Sequence, residues 1–267
     1  MRHMPKELRF ALHAVKKNIM SSAELRASFW LTVFGMATNN IAFVLIWSFF
    51  IRSVGPIGGW NVADVIALNG FAAFCYGAVF SSAYGLRQLP ETVSSGAFDR
   101  YLLSPKNLIS RVATGGFNAS GLGDMIFGLT CLVIYAALSN AGLPQVAMIA
   151  VLAVITIIVF FSLAVVTFSS GFLFADSSNV SNGIFEIFFT PSLYSGGMFQ
   201  GGMRFVFTFI VPSLLIGGLP VEAVKYSSWP TVGLIALLAA AWFGIALLVF
   251  RAAVRRYESA NFMTFGN

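Results

Sequence analysis

The chain has 267 residues, 58% of them hydrophobic and only 10% charged, with 28 Phe and a formal net charge of +6. Soluble domains carry about 25% charged residues, so a mean hydropathy of +0.83 excludes that class and points to a bilayer. The net charge could suggest nucleic acid as a partner, but the placement of the basic residues argues otherwise: they flank apolar runs, as anchors to anionic membrane lipids do.

Residues 5–20 form the first predicted element, an amphipathic helix. Leu8, Leu12, Val15 and Ile19 make one stripe, with Lys6, Arg9, Lys16 and Lys17 off it. A basic amphipathic helix just before a span fits the membrane interface; a solvated or partner-covered helix is the other reading of the same pattern. No signal peptide is expected, because the first apolar run is too long for an h-region and lacks a small-residue cleavage pattern.

Apolar runs long enough to cross the hydrocarbon core follow at Phe29–Ile51 and Ala63–Tyr84. Asn39 and Asn40 sit mid-span in the first, as interhelical hydrogen-bonding groups and as candidates for lining a substrate pathway. Residues 86–112 are then the one long polar interruption, carrying charges of both signs. Pro90 suits a first helical turn, so PETVSS starts a short helix that Gly96 ends. A second begins at Ala97 and cannot continue through Pro105. It places Phe98, Tyr101 and Leu102 on one face, with Asp99 and Arg100 elsewhere. Such a helix outside the bilayer suits docking; an ordinary basic loop is the plainer alternative.

Two more spans, Ala113–Leu138 and Val146–Phe172, precede a broken segment from Asn179 to Leu219, and Pro230–Phe250 closes the series. The broken segment is too long for one pass and is interrupted by Pro191, Gly196, Gly197, Gly201, Gly202, Pro212, Gly217 and Gly218. It reads as a crossing to about Ser195, then an outer hairpin over residues 196–229 that dips back without traversing. The expected architecture is one all-α polytopic membrane domain over residues 1–267, with an interfacial helix, six transmembrane helices and a re-entrant hairpin between the fifth and sixth. With a cytoplasmic N-terminus, only Arg52, Arg204 and Lys225 of the 16 Lys and Arg fall outside. That bias sets both termini and the 86–112 loop on the cytoplasmic side.

Two acids lie inside apolar runs: Asp124 in the third span, beside Gly121, Gly123 and Gly128, and Glu186 in the fifth. Intramembrane acids face a bundle interior or a cavity. They could wall a pathway for a cationic or amphipathic substrate; alternatively they are paired across helices, protonated or hydrated near the surface. Catalytic chemistry is poorly provided for. His3 and His13 both precede the first span, so no intramembrane Ser–His pair or histidine metal site can form. GxxxxGK[ST] is absent, so the chain lacks the usual loop that cradles ATP. YSGGM, at Tyr194 to Met198, looks superficially like an ABC ATPase signature, but its glycine-broken setting favours a turn. Gly197 and Gly201 form a GxxxG that could pack helices or turn the chain. Cys75 and Cys131, inside apolar runs, read as buried thiols.

The loop segment GAFDRYLLSP, Gly96 to Pro105, preceded by LPETV, Leu89 to Val93, resembles the cytoplasmic loop of type 2 ATP-binding-cassette (ABC) exporter permeases. It is closest to the branch with approximately LPE…SGELDRYLLRP, although Ala97 stands where that branch has an acid. FADSSNV, Phe174 to Val180, resembles the acidic loop between that family's fourth and fifth helices, and TPSLY and the Pro212 segment resemble its outer re-entrant region. The resemblance implies a permease subunit of an exporter in the bacterial inner membrane, for a small amphipathic or lipid-like substrate. It implies pairing with a second copy or a sister permease. It also implies cytosolic ATPase subunits that hold the ATP and magnesium, with no cofactor on this chain. Glu91, Gly96, Asp99, Arg100 and Pro105 fall at its coupling positions. The rival, an ion-coupled secondary multidrug transporter, would favour an internal repeat, and the 86–112 loop has no counterpart after Val146.

Overall fold

The computed structural model describes residues 6–24, 26–56, 58–103, 107–174 and 177–257, and these form an all-helical bundle. Helix α1 (Lys6–Ala23) lies beside the loop end of the bundle, where the Asn18 amide donates to the Thr114 carbonyl at 3.0 Å. Leu12 and Met20 of α1 stay exposed, whereas the side chain of Leu8 lies outside the described residues. Next come α2 (Arg26–Val54) and α3 (Val62–Ser82). Helix α3 opens on a reciprocal cap: Asn61 accepts from the Asp64 amide and Asp64 accepts from the Asn61 amide. The polar loop folds into α4 (Leu89–Ser94), α5 (Asp99–Leu102) and α6 (Leu108–Ala113). Helices α7 (Ala119–Leu138) and α8 (Leu143–Phe168) form a hairpin, and α8 continues as a 3-10 turn to Phe172. Side-chain caps start both: Asn118 on the Ser120 amide, and Gln145 accepting from the Gly142 amide. The remainder is α9 (Ser177–Phe189), α10 (Gly201–Phe205), α11 (Gly218–Lys225) and α12 (Trp229–Val254).

The tightest packing joins α3 to α7, and glycine is the reason. A Cβ on Gly77 would stand 2.3 Å from the Met125 amide nitrogen, and one on Gly128 would stand 2.3 Å from that of Phe74. Gly70 and Gly77 on α3 repeat at seven residues, as do Gly121 and Gly128 on antiparallel α7, so the two backbones touch over two turns. Gly123 does the same toward α2, where its Cβ would meet the Val33 carbonyl oxygen at 2.3 Å. Small residues at this spacing let membrane helices approach closely. Behind α3 an aromatic cluster fills the core: Tyr76 and Phe80 with ring centroids 4.7 Å apart, Phe80 and Phe160 at 5.3 Å, and Phe168 stacked on Phe185 at 5.2 Å. Cys75 and Cys131 are free and buried, as their setting implies.

Among the described residues, five helices are long and apolar enough to cross a membrane: Ala27–Val54, Val62–Ser82, Ala119–Leu138, Leu143–Phe172 and Trp229–Val254. The expected fifth crossing does not reach that length as a helix. Helix α9 has 13 residues, and Pro191 sits in the 3-10 turn Thr190–Leu193 that follows it. At 1.5 Å per residue α9 spans about 20 Å, short of a core about 30 Å thick. Beyond it the glycines break the chain as their spacing predicts, into a 3-10 turn at Gly196–Met198, α10, a π-turn Val206–Ile210 and α11. Gly197 packs on the α2–α3 connection, its Cβ position 2.6 Å from the Gly58 carbonyl oxygen, while Gly201 takes φ +53°. The GxxxG pair therefore works as turns, not as a helix-packing seam. Two ion pairs hold this end: Lys225 to Asp64 at 2.6 Å and Arg204 to Glu222 at 2.5 Å.

Candidate functional site

Helices α2, α3, α7 and α9 line an open cavity of about 270 Å³. Helix α2 contributes Met36, Asn39, Asn40 and Phe43, an i, i+3, i+4, i+7 face; α3 contributes Asn69, Ala73 and Tyr76. From α7 come Asp124 and Phe127, and from α9 Glu186 and Phe189, with Leu193 in the turn beyond. All four sequence-derived pathway candidates, Asn39, Asn40, Asp124 and Glu186, thus meet in one place. Asp124 is buried, and its Oδ1 accepts from Asn40 Nδ2 at 2.6 Å across the α2–α7 contact. Asn40 is therefore both interhelical contact and cavity wall. Glu186 is exposed at the rim.

Sequence reasoning missed three members of this region. Asn69 and Tyr76 lie seven residues apart in the second span, and an apolar search for charged residues passes over them. Their signal was the shared face with Ala73 at helical spacing. Arg87, the first basic residue of the loop, folds back along α3 and donates to the Tyr76 hydroxyl at 2.7 Å. Its guanidinium lies over the Phe80 and Phe185 rings at 5.6 and 5.9 Å. The cavity wall and the polar loop therefore share one hydrogen bond.

The loop itself is docked on the bundle. Leu86 and Leu89 are buried, and Gly171 lies so close beneath Pro90 that its Cβ would stand 2.7 Å from the Pro90 Cα. Gly96 takes φ +72°, the left-handed turn its position requires. The helix after it differs from expectation: α5 begins at Asp99, not Ala97, and Phe98 is its N-cap. Phe98 is fully buried inside the chain, edge-on to Phe172 and Tyr257 with centroids 5.0 Å away in each case. It is thus an internal anchor and not part of an outward docking face, because burying a phenyl ring against this aromatic cluster removes it from solvent. Tyr101 is half-buried beneath the Arg100 and Arg111 guanidinium groups, at 5.1 and 5.5 Å, and Arg111 also donates to the Tyr101 carbonyl. Asp99 lies beside Tyr257, whose phenol is pushed up to about 12, first by burial and then by that carboxylate. What faces outward includes Glu91, Arg100, Leu102 and, at 86% the most exposed of the large apolar side chains, Leu103. Pro105 lies outside the described residues.

A family model described as ABC-2 family transporter protein matches residues 37–261. No curated protein matches the chain. The match runs from mid-α2 to just beyond α12, so it takes in the cavity and the docked loop together. With five apolar helices long enough to span a bilayer and a match over most of its length, the chain is a multi-pass membrane protein that belongs to the ABC-2 family of transporters, as a permease component.

Proposed function

We propose that the chain is the transmembrane subunit of an exporter for a small amphipathic or lipid-like molecule. It works by alternating exposure of a cavity between two permease halves, the second half being another copy or a sister permease. Separate cytosolic ATPase subunits supply the energy and hold the ATP and magnesium. In this reading the chain sits in the bacterial cytoplasmic membrane with both termini inside. Helix α9 and the turn after it complete a sixth crossing, and the segment from Gly196 dips in from the outer face. The loop over residues 86–112 receives the ATPase, with Leu102 and Leu103 as its apolar contact and Glu91, Asp99 and Arg100 setting orientation.

The observation that carries this reading is the convergence of Asn39, Asn40, Asp124 and Glu186 on one cavity between α2, α3, α7 and α9. Polar and acidic side chains at membrane depth are costly to insert, and a solvated cavity among helices is where they serve transport. Family membership favours this over ion-coupled transport. Purified in gentle detergent, the chain should retain a cytosolic ATPase, and stripped of it should hydrolyse no ATP above background. Robust hydrolysis by a partner-free preparation would sink the reading, as would failure of any ATPase to bind the chain in native membranes.

A further inference from the structure

The cavity is rich in acceptors and poor in cations. Asp124 is only 2% exposed, and while Asn40 donates to Oδ1, Oδ2 is buried with no hydrogen-bond partner. Among the described residues no Lys or Arg pairs with it; the two ion pairs engage Asp64 and Glu222 instead. Asn40 and Asn69 each direct an amide N–H to the protein, onto Asp124 and the Val65 carbonyl, which leaves their side-chain oxygens as acceptors. The Tyr76 oxygen already accepts from Arg87. Aromatic rings complete the lining. A buried carboxylate oxygen without a donor is unfavourable, and a ligand that brings a charged donor removes that cost. A metal ion is a poor fit, since among the described residues no group of three or more His, Cys, Asp or Glu side chains could hold one.

We propose that this cavity is a subsite for the protonated amine of an amphipathic substrate. The ammonium group pairs with the Asp124 carboxylate and donates to the neighbouring amide oxygens, and its apolar body lies against the rings, whose faces also favour a cation. Glu186 at the rim adds attraction during entry. This deepens the exporter reading and rests on it.

The test uses the full chain in nanodiscs of phosphatidylcholine, which carry no net surface charge, titrated calorimetrically with dodecylammonium and with dodecanol below their aggregation limits. Empty discs are subtracted, and neutral pH keeps the amine charged. The chain should prefer the ammonium by about tenfold or more, equivalent to about 1.4 kcal/mol. Asp124→Asn, which keeps the shape of the side chain, should abolish that preference by weakening ammonium binding far more than dodecanol binding, and Asp124→Glu should restore part of it. Equal binding of the two probes by the unaltered chain would overturn the assignment without reference to any variant. So would an equal weakening of both by Asp124→Asn, or a larger loss of preference in Glu186→Gln. ATPase capture by the same discs, scored separately, reports on the exporter reading and does not depend on which probe binds.

Discussion

Phe98 shows how a single side chain can be assigned the right face and the wrong neighbour. Its spacing from Tyr101 and Leu102 correctly announces an apolar side of a short helix. What the spacing cannot convey is that Phe172 and Tyr257, 74 or more positions away, supply the pocket. The consequence divides the loop into two kinds of residue. Phe98→Ala should destabilise the protein by about 3–5 kcal/mol, the usual range for an emptied phenyl site, and should loosen the loop from the bundle, read as faster proteolysis between Arg87 and Arg111. Leu103→Ala should alter stability by no more than about 0.5 kcal/mol, as exposed substitutions do, yet should lower ATPase co-purification and transport. If Leu103→Ala with Leu102→Ala retains full ATPase binding and transport, the exposed leucines are not the contact. Asp124 is the opposite case to Phe98. Its cost inside an apolar run marked it from sequence, and the structure adds only the company it keeps.

At the scale of the elements, the five long helices were legible because apolar runs of sufficient length leave the backbone few alternatives in a bilayer. The starts of α3, α7 and α12 are fixed by the N-caps Asn61, Asn118 and Ser228, whose role depends on local sequence. Helix α9 was harder, since serines and two asparagines dilute its first turns and Pro191 closes it early. The glycines of α3 and α7 were visible in sequence without any sign of their pairing, because the partner helix is 40 or more residues distant. Their close approach gives a sharp comparison. Gly128→Ala must push a methyl group into the α3 backbone, so a loss of about 1–3 kcal/mol is expected, the range for overpacking. Gly183→Ala, on the open side of α9 with nothing within 4 Å of the added carbon, should be neutral or stabilising by up to about 1 kcal/mol through helix propensity. Thermal unfolding in detergent distinguishes them; equal effects at the two sites would show that the α3–α7 contact is not tight in solution.

For the whole molecule, the proposed orientation rests on the basic residues, which crowd the loop end and the two termini. A reporter active only in the cytoplasm should work when fused after Asn267 and stay silent when inserted at Asn140, in the α7–α8 turn. The reverse pattern would put the docked loop outside the cell and remove it from any cytosolic ATPase. The contact between Arg87 and Tyr76 has a consequence at this scale. It is a hydrogen bond of 2.7 Å between a loop residue and a wall of the cavity, and such a bond ceases to exist once the atoms separate by about 1 Å more. Movement of the loop smaller than that keeps the Tyr76 hydroxyl tied to Arg87; movement beyond it frees the hydroxyl, while the ring stays packed against Phe80, Phe160, Phe185 and Phe189. The connection ties the placing of the loop to the polarity of the cavity wall: wherever the loop carries Arg87 away, the Tyr76 hydroxyl is left without its donor.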